Sequence, residues 1–229
     1  MSRNKKFKFF SKHKRNIIDH PKIKFNKLKS SKWVKMKSHA PRKLTNYGNL
    51  LAAKQIFKFF YGDMKEGQFI NFYIKAKNIK GNTGINFLKL LESRLDIVLF
   101  RLRFSNNFNE VRQLISHKHI LVNGIIVKSP SFTLKPGDVI QVRDHSFNKV
   151  YDKVKESIKK YTQNIKQLQF GIEELIDNNC LIFYPNYLEM NYNILRGSYL
   201  YSPKLSEIVY PIPIDIKSSI EYYKYVRKV

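Results

Sequence analysis

The chain has 229 residues, with 43 Lys and Arg against 17 Asp and Glu, a net charge of +26. Self-repulsion of that size works against a compact state, so it points to a polyanionic partner and away from a small-molecule substrate. An apolar fraction of 43% is too high for a wholly disordered polycation, no apolar run approaches the roughly 18 residues of a spanning helix, and a single cysteine, Cys180, excludes an intrachain disulfide framework or a Cys-rich zinc site.

The excess charge is concentrated at the start. Residues 1–43 carry 16 cations and one acid, Asp19. Single apolar residues stand between the cations and no amphipathic period persists, so this stretch builds no core and reads as an extension that orders on nucleic acid. Phe7, Phe9, Phe10 and Trp33 are its candidates for base stacking. A solvated basic tail is the alternative. The segment lacks the apolar region of a signal peptide, and it is Lys-rich and irregular where a mitochondrial transit peptide is Arg-rich and amphipathic.

Residues 45–61 place Leu50, Leu51, Ile56, Phe57 and Phe60 at helical spacing, with Thr45 as N-cap and Gly62 as stop. A second helix is expected over 66–79 through Phe69, Phe72, Tyr73, Ala76 and Ile79. Gly81-Asn82-Thr83-Gly84 breaks the chain, and Asn82 or Thr83 caps a third helix bearing Phe87, Leu88, Leu90 and Leu91. Leu95, Val98, Leu99 and Leu102 continue the helical pattern. Asn107 and Glu110 have capping-box spacing ahead of a short helix carrying Val111, Leu114 and Ile115. The period then shortens. Residues 119–122 and 125–127 flank Asn123-Gly124, a strong hairpin turn. Phe132 and Leu134 are expected in a third strand, and Val139–Val142 in a fourth. A polar, periodic helix is expected over 149–178, short strands near 187–190 and 194–199, and a last helix capped by Asp215 behind Pro211 and Pro213.

The order Arg94-Leu95-Asp96, Glu110-Val111-Arg112-Gln113-Leu114-Ile115-Ser116-His117-Lys118, Ile120-Leu121-Val122-Asn123-Gly124, Ser129-Pro130-Ser131 and Lys135-Pro136-Gly137-Asp138 resembles the S-four RNA-binding domain. Its flanks narrow the likeness. Lys43-Leu44-Thr45-Asn46-Tyr47-Gly48 with Lys54-Gln55, the stretch from Lys80 to Asp96, and Pro185-Asn186-Tyr187-Leu188-Glu189 are similar to the small-subunit ribosomal protein of the S-four family. The resemblance covers about 41–229, weakly over 145–184. Residues 1–40 depart from the bacterial pattern. The family usually has Gly where Arg103 stands and a basic residue where Phe108 stands.

The fold implied is α+β: a helical domain over 44–93 completed by the C-terminal helix 215–229, and an S-four RNA-binding domain over 94–214 with two helices on an antiparallel sheet. The latter contains a divergent helical segment at 145–184, and the basic extension 1–43 precedes both. By residue type, Arg112, Gln113, His117, Lys118, His119, Lys128 and Ser129 can form one cationic, hydrogen-bonding face, with Asn123-Gly124 bringing backbone close to phosphate. Arg42, Lys43, Lys54, Lys77 and Lys80 can form a second, beside the helix start at Asn82 and Thr83, whose free N–H groups favour phosphate. Arg94, Arg101 and Arg103 are further candidates, with a structural Arg94–Asp96 ion pair as the alternative for the first. His117 and His119 lack a third ligand nearby, so no metal is expected, and no cofactor.

The resemblance implies a structural protein of the small ribosomal subunit that clamps an rRNA helical junction, acts early in assembly and lies near mRNA at the entry region. Proteins of the S-five and S-three families are the expected neighbours. The competing readings are an RNA-modifying enzyme and a stress- or tRNA-related protein carrying the same module. The residues after 144 contain no convincing catalytic pair, which disfavours the first, and the matching flanks disfavour the second. Lys (33) exceeds Arg (10) although Arg suits phosphate better, and Phe, Tyr, Ile and Asn are abundant, as AT-rich codons dictate. That bias and the divergent first forty residues point to a mitochondrion, with a plastid as the alternative, and to neither membrane nor small-molecule substrate.

Overall fold

The structure, a computed structural model, describes residues 45–105, 107–168, 185–208 and 215–227. The extension with Arg42 and Lys43, the expected helical residues 169–178, Cys180 and the expected Pro211/Pro213 connector lie outside the described residues. The chain divides into two compact units at Phe69/Ile70, and the segment from Tyr210 onward belongs to the first.

The first unit contains α1 (Asn46–Phe60), the first turn of α2 (Glu66–Asn78) and α7 (Ile216–Arg227). Thr45 caps α1 by accepting the Gly48 N–H at 3.2 Å, and Gly62 ends the segment with φ of 74°. Asp215 accepts the Ser218 N–H at 3.0 Å and so starts α7. Phe57, fully buried, meets Tyr61 and Phe69 edge-on, and Phe69 lies 6.1 Å from the Tyr223 ring. Such edge contacts add to the apolar burial that holds α7 on α1.

Lys54 belongs to this core. It is only 5% exposed, its Nζ is 2.8 Å from Glu66 Oε1, and it lies 4.1 Å above the Tyr222 ring. Glu66 also accepts from Lys58 Nζ at 3.4 Å and Tyr223 Oη at 2.9 Å. Burial pushes the Glu66 carboxyl up, but the bonds from Lys54 and Tyr223, with the charges of Lys54 and Lys58, outweigh it and hold the carboxyl below its ordinary 4.5. A lowered carboxyl stabilises the fold above its unfolded value and loses that contribution as pH falls through the folded one. Glu66→Gln therefore lowers the urea midpoint at pH 7, and the gap to wild type closes toward pH 3.

In the second unit, Asn82 caps α3 (Thr83–Glu92) through Gly84 N–H at 2.8 Å. Helices α4 (Leu95–Arg101), α5 (Phe108–Ser116) and α6 (Phe147–Leu168) follow the pattern of apolar residues. Strands β1 (Ile120–Val122), β2 (Ile125–Ile126), β3 (Val139–Val142), β4 (Leu188–Asn191) and β5 (Arg196–Tyr199) form one antiparallel sheet ordered β2-β1-β3-β5-β4. Leu95, Val98, Leu99 and Leu102 of the α4 segment pack with Val111, Leu114 and Ile115 of α5. The same core takes in Ile120, Val122, Ile140 and Val142 of the sheet and Val150 and Val154 of α6. Gly197 sits where an added Cβ would lie 2.9 Å from Met190 Sδ and 3.2 Å from Leu102 Cδ1, so α4 approaches the sheet closely there. The α+β class is as expected.

Two local expectations are corrected. Phe132 and Leu134 form no strand of the sheet. Thr133 bridges Arg94, with Leu95 N–H to Phe132 O at 2.8 Å and Leu134 N–H to Ser93 O at 2.7 Å, so this stretch ties down the start of α4. The capping box at Asn107 does not close, because the Asn107 side chain donates to Glu110 Oε1 at 2.6 Å instead of accepting from the helix. Ser105 Oγ completes the cap by accepting the Asn107 N–H at 3.2 Å and donating to Glu110 Oε2.

Candidate nucleic-acid interface

The corner between α5 and the β1–β2 hairpin begins with backbone hydrogen bonds. His119 N–H bonds to Leu114 O at 3.1 Å and Lys118 N–H to Ile115 O at 2.9 Å, the paired bonds of a Schellman cap. Lys118 takes the left-handed position with φ of 63°, where glycine is usual. The turn at Asn123 (φ 51°) and Gly124 (φ 79°) has the two positive φ values of a type I′ hairpin. Asn123 accepts the Val139 N–H at 2.9 Å and donates to Asp138 at 2.8 Å, so its side chain locks the turn to β3. A rigid corner results, with His117, Lys118, Lys128 and Ser129 exposed on it and His119 half-buried. Gln113 is exposed one turn back along α5.

Three of the arginines read as candidates are committed inside the unit. Arg94, 2% exposed, donates from Nε and Nη2 to the two oxygens of Asp96, each at 2.9 Å, and its guanidinium lies 5.3 Å from the Phe72 ring. Asp96 is fully buried and also accepts from Arg112 Nε at 2.9 Å. Arg101 reaches the buried Glu92 at 2.7 Å, and Glu92 accepts from Tyr187 Oη at 2.9 Å. Burial and the Glu92 charge push the Tyr187 phenol well up, so it stays a donor. Of this group Arg112 and, to a lesser degree, Arg101 keep partial access to solvent. With the buried Lys54, these positions give up outward contact for internal pairing.

The two departures from the family pattern have physical reasons. Arg103 has φ of 61°, a left-handed conformation that glycine adopts freely, so its backbone keeps the glycine geometry. Phe108, 7% exposed, stacks on Phe100 with ring centroids 3.9 Å apart. Where the resemblance implies a basic residue, this chain thus has an apolar lid on the start of α5.

Lys77, Lys80 and Asn82 are exposed around the α2–α3 turn, with Thr83 half-buried at the first helical position. Sequence reasoning missed His145, Lys149 and Lys153, all exposed, whose charges act on His119. The four-residue spacing of Lys149 and Lys153 was the available signal. Among the described residues no helix is long and apolar enough to cross a membrane, and no three His, Cys, Asp or Glu side chains gather as metal ligands.

Comparison with known proteins gives two family matches: the ribosomal protein S4/S9 N-terminal domain over residues 1–92 and the S4 domain over residues 93–140. The chain is 35% identical over 195 residues to the small ribosomal subunit protein uS4m of Reclinomonas americana, covering 85% of this chain and 71% of that protein. It is 37% identical over 182 residues to uS4 of Rhodospirillum centenum, covering 80% of this chain and 79% of that protein. It is 34% identical over 181 residues to uS4 of Roseobacter denitrificans, covering 79% and 78%.

Proposed function

We propose, from the premise that this chain belongs to the ribosomal protein S4 family, that it is a structural constituent of the small ribosomal subunit, bound to rRNA and to other ribosomal proteins. It performs no covalent chemistry. The observation that carries the reading is the rigid α5–hairpin corner, on which His117, Lys118, Lys128 and Ser129 face solvent. Contacts of this kind hold a phosphate backbone by shape and charge. Lys77, Lys80 and the α3 start at Asn82 and Thr83 supply the second set of contacts, and together the two grip a helical junction. The basic segment 1–43 follows rRNA beyond it.

The finer placement follows the same reading. The chain joins the subunit early and lies near mRNA at the entry region, beside proteins of the S-five and S-three families. Its compartment is the mitochondrion, supported by the AT-biased composition and the likeness to a mitochondrial relative. Ultraviolet cross-linking of the tagged chain in cells, followed by sequencing of the attached RNA, tests this. Mitochondrial small-subunit rRNA should dominate, with cross-links grouped around one multi-helix junction. Cross-links spread over tRNA or unrelated transcripts would contradict it.

A further inference from the structure

We infer that the segment from Arg143 through Lys153 forms a further phosphate-binding patch beside His119, continuous with the α5–hairpin corner, and that it takes an RNA backbone. The inference rests on the rRNA-binding reading above and adds residues to it.

Four pieces of the unit bring their cations to one place. His117 ends α5, with its ring 6.1 Å from that of His119. His119 opens β1, and its Nδ1 lies 2.7 Å from Ser146 Oγ, which orients the ring against the short 3-10 helix Asp144–Ser146. Exposed Arg143 donates its backbone N–H to His119 O at 2.9 Å, so the two stand opposite each other on the ladder. His145 lies in the short helix, and Lys149 and Lys153 lie one turn apart on α6. Asp144 and Asp152 are the acids of that segment, Glu156 follows just beyond it, and all three are exposed. The charges acting on His119 most strongly are nevertheless all positive. After burial, those of His117, Lys149, Lys153 and His145 push its pKa below the ordinary 6.5.

Such a group of cations, with no acid among the strongest influences on its centre, repels itself in the free protein. A phosphate backbone laid across it removes the repulsion and favours protonated imidazoles. Binding then takes up protons, so affinity rises as pH falls through the imidazole range. A backbone carrying a charge at every nucleotide matches cations drawn from several elements better than a single small anion does.

Filter binding of the full chain to its small-subunit rRNA transcript, over about 50–200 mM KCl at pH 7.5 and pH 6.0, tests the patch. Lys149→Gln with Lys153→Gln should make the log–log salt slope shallower by about one to two and weaken binding about tenfold near 100 mM. His119→Gln should remove most of the tightening that wild type shows at pH 6.0. An unchanged urea midpoint for each variant secures the comparison. A steep wild-type slope with wild-type behaviour in both variants overturns the patch and leaves the rRNA reading standing. A flat wild-type slope overturns that reading itself.

Discussion

Replacing Asp96 with alanine should cost the fold about 3–5 kcal/mol, enough to consume much of the stability of an ordinary domain. Asp96 is fully buried and accepts from Arg94 twice and Arg112 once, all at 2.9 Å. Arg94 is 2% exposed and cannot turn to water without unpacking the start of α4. Without the carboxylate its guanidinium is a buried charge with no counter-ion, and that uncompensated charge is the source of the cost. Asp96→Asn keeps the volume and one acceptor, so it should fall between the alanine variant and wild type. Urea denaturation followed by circular dichroism measures both. An alanine variant within about 0.5 kcal/mol of wild type would mean that the pair is not buried as described.

Affinity for rRNA should fall by about three orders of magnitude between about 50 and 200 mM salt. Each cation on a phosphate releases a condensed counter-ion, so log affinity declines linearly with log salt. The exposed cations that carry this effect include Lys77, Lys80, Lys118 and Lys128 of the described surface, joined by the cations of residues 1–43. Removing residues 1–43 should flatten the slope while the helical signal of the remainder persists. The buried Lys54 and Arg94 should contribute nothing to the slope, since their charges already meet Glu66 and Asp96. A Lys77→Gln, Lys80→Gln variant separates these classes: it lowers the slope and leaves the urea midpoint in place.

The elements were largely legible because their signals are local. Thr45, Asn82 and Asp215 cap helices where their side chains predict, and Asn123-Gly124 turns the hairpin as its composition requires. Phe132 to Leu134 went to the wrong partner because alternation reveals an extended strand without naming what it pairs with. The Asn107 cap failed for a similar reason, since Ser105 lies outside the capping-box pattern and takes over one of its bonds.

The interface was less legible. Residue type says that Lys54, Arg94, Arg101 and Arg112 are cations, but only the fold says that Glu66, Asp96 and Glu92 stand within reach of them. The Arg94–Asp96 pair was foreseeable from its two-residue spacing as an alternative, whereas the Arg112 contact spans 16 positions. His145, Lys149 and Lys153 read as an ordinary solvated helix start until the sheet brings His119 beside them. Arg103 and Phe108 were visible only as departures, and their sense lies in a positive φ and a stacked ring.

Sedimentation of a cell extract through a sucrose gradient, with the chain followed by its tag and the rRNA by hybridisation, tests the central claim most directly. The account predicts that the chain peaks with small-subunit rRNA in low salt and is stripped from it as salt is raised. A chain that stays at the top of the gradient at every salt concentration, away from ribosomal RNA, would contradict it.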